Sequence, residues 1–154
     1  MKFENVVIPV DRIWSSPFVR WQGSLADVSS IDLAVAVTRD ALATRRVNPD
    51  EIDGLVVGMT IPQPNCFYAA PWIASQLGLP GLTGPVVAQA CATSVAALAN
   101  AAAQVELEGN GTKLVVATDR TSNGPLLVYP RGDGMGGAPA TEHWVLESFR
   151  ADPN

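Results

Sequence analysis

Residues Gly84-Pro-Val-Val-Ala-Gln-Ala-Cys91-Ala-Thr-Ser-Val-Ala-Ala-Leu-Ala-Asn100 read as a short buried strand, a sharp turn and then a helix that opens at the cysteine. The first N–H groups of a helix have no partner inside it and carry partial positive charge, a setting that favours a thiolate over a thiol. A nucleophile on a strand-to-helix turn is also held out toward substrate. Free cysteines are most often small buried hydrophobes, so position alone leaves both readings of Cys91 open. Seven of the twelve residues from Ala92 to Ala103 are alanine. A helix that is small and apolar nearly all round is expected at the centre of a fold, packed closely on several sides.

Working outward, strands and helices alternate. Asn5 to Val10 is a β-branched run that predicts a first strand. Ser29-Ser30 opens a helix with Asp32 in its first turn, and the apolar positions from Ile31 to Leu42 bury most of one side. Asn48-Pro49 breaks that helix, and Ile52 to Gly58 returns as a strand. Phe67 to Leu77 predicts a second helix stopped by Gly78 and Pro80. The segments Pro85–Ala88 and Lys113–Thr118 are further strands, with Gly109-Asn110-Gly111 ending the Ala-rich helix. This alternation predicts a layered α/β fold. From Pro130 to Pro139 four glycines and two prolines fall in ten residues, which predicts an irregular connection. Glu142 to Phe149 predicts a short helix.

Composition narrows the function. A net charge of −5 gives no support to nucleic-acid binding or to anionic membranes. No stretch approaches the ~20 apolar residues of a membrane span, and the first ten residues hold an acid and too brief an apolar run to read as a signal peptide. Charged residues make up 16%, fewer than usual for a soluble domain, so surface is expected to be hidden in a core or against a partner. Two cysteines form neither a disulfide framework nor a metal pattern, which fits a cytoplasmic setting.

Three segments together resemble the N-terminal half of a thiolase. Asn48-Pro-Asp-Glu-Ile-Asp53-Gly-Leu-Val-Val-Gly58 is similar to the family's segment leading into its second strand. Gln89-Ala-Cys91-Ala-Thr-Ser, with the Ala-rich helix and Glu108-Gly109, is similar to its nucleophile motif. Lys113-Leu-Val-Val-Ala-Thr-Asp-Arg-Thr-Ser122-Asn123-Gly124-Pro125 is similar to the strand and Ser-Asn turn that follow. Val116-Ala117 stands where the family usually has two glycines, ahead of the acid Asp119. The resemblance implies a thiolase-like layered α/β half-fold, a mixed sheet with a buried Ala-rich helix carrying the nucleophile, over residues 1–125. Residues 126–154 would begin an irregular loop region, and the C-terminal half is absent.

The chemistry the resemblance implies is acyl transfer. Cys91 would attack the carbonyl of an acyl-CoA and form an acyl-enzyme, used in thiolytic cleavage or Claisen condensation. Coenzyme A thioester is then a substrate, with no cofactor bound tightly. The family's histidines and second cysteine lie in its second half, so a homo-oligomer or a complex with a chain supplying that half is implied. Alternatives are a ketosynthase-like condensing enzyme, whose nucleophile motif Ala90-Cys-Ala-Thr-Ser also resembles, and a non-catalytic structural subunit. His143, the only histidine, is read as a surface residue, and Arg131 needs no CoA phosphate to explain it. Cys66 is read as packing or interface, and Trp14, Trp21, Trp72 and Trp144 as core or interface anchors.

Overall fold

The computed structural model describes residues 2–64, 66, 68–129 and 140–143, the last four and 127–129 by their backbone. Five residues of unbroken apolar burial organise the molecule. Strand β1 (Gly54–Gly58) is buried on both faces, as strands of parallel sheets are. It lies between β2 (Val86–Val87) and β3 (Lys113–Ala117), and both neighbours run parallel to it. The register sets Val57 opposite Val86 and Val116, and Gly58 opposite Val87 and Ala117.

Parallel neighbours need crossover connections, and helices supply them. Helix α1 (Ser30–Thr44) is capped by Ser29, whose side chain accepts from the Asp32 N–H at 3.3 Å. Helix α2 (Ala69–Gln76) ends at a left-handed Gly78 (φ 81°), with the Leu79 N–H reaching back to the Ala74 carbonyl. Helix α3 (Thr93–Glu108) ends at a left-handed Gly109 (φ 75°). Helices α1 and α2 bury Ile31, Val35, Leu42, Ile73 and Ala70 against Leu55, Val57, Leu114 and Val116 on one face of the sheet. Helix α3 packs on the other face, where Ala97 and Ala101 meet Val56. Three layers result, α/β/α, as the alternation of elements predicts.

Glycine is required at two close approaches. A Cβ on Gly84 would lie 1.6 Å from the Leu55 carbonyl oxygen, so the chain entering β2 runs backbone to backbone against β1. A Cβ on Gly58 would stand 3.1 Å from the Thr93 methyl and 3.4 Å from both Ala97 and Ala117. The missing side chain at 58 and the alanines of α3 together let that helix sit close on the sheet. Val116 fills the core on the α1 side, while Ala117 faces the space Gly58 leaves.

Three expectations change. Asn5–Val10 is not a strand: residues 5–8 have no regular structure and Val10–Arg12 is a single 3-10 turn. Its backbone is tied instead to the end of α3, where the Glu106 carboxylate accepts from the Asn5 N–H at 2.9 Å and from the Asn5 side-chain amide at 3.2 Å. Val7 is therefore left 84% exposed. Between this segment and β3 runs a groove of about 850 Å³ lined by Asn5, Val7, Leu33, Val37, Leu98 and Val115, and among the described residues β3 pairs with β1 only. Second, β4 (Leu126–Tyr129) and β5 (Ala140–His143) form an antiparallel ladder with Leu126 opposite His143. Glu142 and His143 are thus strand and not helix, because they have a partner in β4; residues 144–149 lie outside the described residues. Third, the buried apolar contacts of α3 are on its sheet side alone among the described residues. Val95 (66%), Leu98 (41%) and Leu107 (87%) remain exposed.

Candidate active site

Cys91 does not stand on the α-helix itself. It lies in a 3-10 turn (Ala90–Ala92) joining β2 to α3, with the α-helix beginning at Thr93. The turn begins at Ala90, whose φ of 47° is left-handed, a conformation that costs a residue with a Cβ about 1–2 kcal/mol. The result is an outward corner, and the Cys91 thiol is exposed. The α3 N-terminus has Ala92 at the N-cap and no side-chain cap, and its first N–H, that of Thr93, is taken by the Ala90 carbonyl. No described residue accepts a hydrogen bond from the Cys91 N–H.

A hydroxyl network lies beneath this corner. Thr93 is 5% exposed. Its Oγ1 accepts from the Gln89 N–H at 2.8 Å, donates to the Ala90 carbonyl at 2.7 Å and meets Thr60 Oγ1 at 2.8 Å. Thr93 has one hydroxyl proton and Ala90 takes it, so Thr60 is the donor between the two threonines. The loop carrying Thr60 is held in turn by Asp119, whose carboxylate accepts from the Thr60 N–H at 3.0 Å and the Ile61 N–H at 2.7 Å. Partial loss of water pushes the Asp119 carboxyl above its usual range, and these N–H donors work against that push.

The Ser-Asn turn after Asp119 fastens a second loop. Ser122, buried, accepts from the Gln22 N–H at 2.8 Å, and the Asn123 amide donates to the Ala26 carbonyl and to Asp27. Residues 22–27 are thereby held against the strand end that carries Asp119. Cys66 is a different thiol from Cys91. It is buried among α1 and α2 residues in the main core, and burial pushes its pKa up. Packing, as expected, is its role here. Trp14 packs at the edge of the same core, with the Arg45 guanidinium 5.9 Å from its ring centroid. Trp21 and Trp72 are about half exposed. Arg131 and Trp144 lie outside the described residues, as does the side chain of His143. No group of acidic, histidine and cysteine side chains could hold a metal ion among the described residues, and no helix is long and apolar enough to cross a membrane.

Sequence reasoning located Cys91 and the Ser-Asn turn but missed Thr93 and Thr60. The available signal was the spacing Cys-x-Thr: a threonine in the first turn of a helix tends to bond backward to nearby backbone.

A strand–corner–helix presenting a cysteine, followed by a strand and a Ser-Asn turn, is the order of the thiolase N-terminal domain, and the family model for that domain matches residues 6–131. The chain belongs to the thiolase family. Among curated relatives, beta-ketoacyl-[acyl-carrier-protein] synthase III 3 of Streptomyces coelicolor is 41% identical over 71 residues, which cover 46% of this chain and 19% of that protein. The mycobacterial beta-ketoacyl-[acyl-carrier-protein] synthase III of Mycobacterium tuberculosis is 32% identical over 108 residues, covering 70% of this chain and 32% of the relative. Among solved structures, the acetyl-CoA acetyltransferase of Syntrophomonas wolfei superposes with a TM-score of 0.66 at 30% identity, over 73% of this chain and 28% of that one. The chain therefore spans a third or less of these thiolase-family relatives.

Proposed function

We propose that this chain is the nucleophile-bearing half of an acyl-CoA acyltransferase of the thiolase type. The observation that carries the reading is the outward corner at Ala90–Cys91, which exposes a thiol ahead of an uncapped helix N-terminus. In the proposed step the Cys91 sulfur attacks the carbonyl carbon of a CoA thioester while a base takes the thiol proton. The tetrahedral oxyanion is met by the Cys91 N–H, a donor of a kind that contributes ~3 kcal/mol to such barriers. Collapse breaks the bond to the CoA sulfur, CoA leaves as a thiol with that proton, and an acyl-Cys91 thioester remains. The family resemblance places the histidines in a second half, so the base is proposed to come from a second chain or half, which also supplies the groups for condensation.

A ketosynthase-like condensing enzyme is the second reading, favoured by the Streptomyces and Mycobacterium relatives. The Ser122-Asn123 turn favours the thiolase type. The test begins with a native mass of the protein purified from its source, followed by incubation with acetyl-CoA and a denaturing mass. The expected result is a companion chain and one acetyl group on Cys91, absent from Cys91→Ser. Acylation from an acyl-carrier-protein thioester but not from acetyl-CoA would select the ketosynthase reading. An intact complex with Cys91 unmodified by either donor would select a structural subunit.

A further inference from the structure

We propose that Thr93 is a positioning residue for Cys91, holding the corner in its left-handed form through its single hydroxyl. The proposal rests on the reading of Cys91 as the nucleophile. Ala90 at φ 47° is a strained residue, and such a conformation persists only when its surroundings over-determine it. The only side-chain atom bonded to the backbone on both sides of the Ala90 Cα, among the described residues, is Thr93 Oγ1: it takes the Gln89 N–H at 2.8 Å and gives its proton to the Ala90 carbonyl at 2.7 Å. Each lone pair and the proton of that hydroxyl is used, since Thr60 supplies the third bond. Asp119 closes the chain of support by gripping the Thr60 and Ile61 N–H groups. Segments 60–61 and 89–93 thus meet at the hydroxyl oxygen of the buried Thr93, with Asp119 holding the first of them in place.

Thr93→Val keeps the shape and the β-branch but removes the oxygen, leaving the Gln89 N–H without its partner and the Ala90 C=O with the Thr93 backbone N–H alone. Thr93→Ser keeps the oxygen. Thr60→Val removes one of the three bonds and leaves the corner clamp. Thr118→Val serves as a control, deleting another hydroxyl, which donates to the Ser30 carbonyl at 2.9 Å and does not touch the corner. Two rates are read on the full chain by peptide mass: alkylation of Cys91 by iodoacetamide, and its acetylation by acetyl-CoA. The expected alkylation rate falls about tenfold in Thr93→Val and by less in Thr60→Val, a partial share of the roughly hundredfold that an ångström of misplacement can cost. Thr93→Ser and Thr118→Val stay within about twofold of the parent. Wild-type alkylation in a folded Thr93→Val, judged by circular dichroism, overturns the proposal. So does equal slowing in Thr118→Val, which would reduce the effect to stability. If Thr93→Val does not fold, Thr93→Ala, which also lacks the oxygen, decides, with an unchanged rate overturning the proposal. Alkylation that depends on Thr93 in a chain that acetyl-CoA never acylates would remove the proposed function and leave the geometry standing.

Discussion

At the scale of single residues, two cysteines of one chain have opposite fates. Cys66 is enclosed by α1 and α2, so Cys66→Ser would place a hydroxyl in an apolar site and cost about 1–3 kcal/mol in thermal or urea unfolding. The Cys66 thiol should resist alkylation in the native protein while Cys91 reacts, a contrast that peptide mapping measures directly. Ala90→Gly should stabilise the chain by about 0.5–1 kcal/mol, the relief of left-handed strain less the added freedom of glycine when unfolded. Cys91 was legible from its setting between a strand and an Ala-rich helix. The left-handed form of Ala90 was not, because alanine is an ordinary helix former and what bonds the chain on either side of it, the Thr93 hydroxyl and the turn's own backbone, shows only in three dimensions. Asp119 was visible as an acid in a family-like motif, whereas its grip on the loop after β1 joins residues nearly sixty apart and leaves no local trace.

Among the elements, β1 is the keystone and its supports give the sharpest tests. Gly84→Ala would drive a methyl into the Leu55 carbonyl, so β2 must move off β1. We expect a loss of more than about 3 kcal/mol or an insoluble product, against about 1 kcal/mol for an ordinary mutation. At the start of β3, Lys113 is 7% exposed and bridges Asp53 at 2.9 Å and Glu108 at 2.6 Å. The ammonium of Lys113 holds the Asp53 carboxyl below its usual range, and the Lys113 pKa is raised chiefly by Glu108. Stability from Asp53 is present above the unfolded carboxylate pKa near ~4 and is lost as pH falls through its lower folded value. Stability from Lys113 is present below ~10.4 and is lost as pH rises through its higher folded value. Asp119 acts in the opposite sense to Asp53, since its raised pKa relieves a penalty as pH falls. Lys113→Met should cost about 1–2 kcal/mol at neutral pH, discounted because both acids are half exposed, and should flatten the acid and alkaline limbs of a melting-temperature profile. The helices and β1 were readable because caps, terminators and continuous apolar runs are local. Asn5–Val10 misled because strand character needs a partner: its β-branched residues are bound through Asn5 to Glu106 instead of to another strand. The β4–β5 ladder escaped notice because its strands lie on either side of a stretch rich in glycine and proline.

For the molecule as a whole, the layers were legible and their outer cover was not. Alanine on nearly every side of α3 promised apolar neighbours on several sides, yet among the described residues its buried apolar contacts are with the sheet alone. The exposed Val95, Leu98 and Leu107, with the groove beside the single-sided β3, form an apolar region of a kind that free monomers seldom show. Sedimentation velocity of this chain alone should therefore find self-association or aggregates, and a well-behaved monomer would count against the half-enzyme reading. Leu107→Glu and Leu98→Lys should raise its solubility and weaken any complex with the chain proposed to complete it. This exposed side of α3 also bears on how long the chain survives in a cell. Quality control recognises uncovered apolar helices and unpaired strand edges, and abundance follows the fraction of molecules that present them. The chain should be short-lived when made in excess of whatever covers α3 and long-lived when matched to it, so that supply of the proposed companion would set the dose of exposed Cys91.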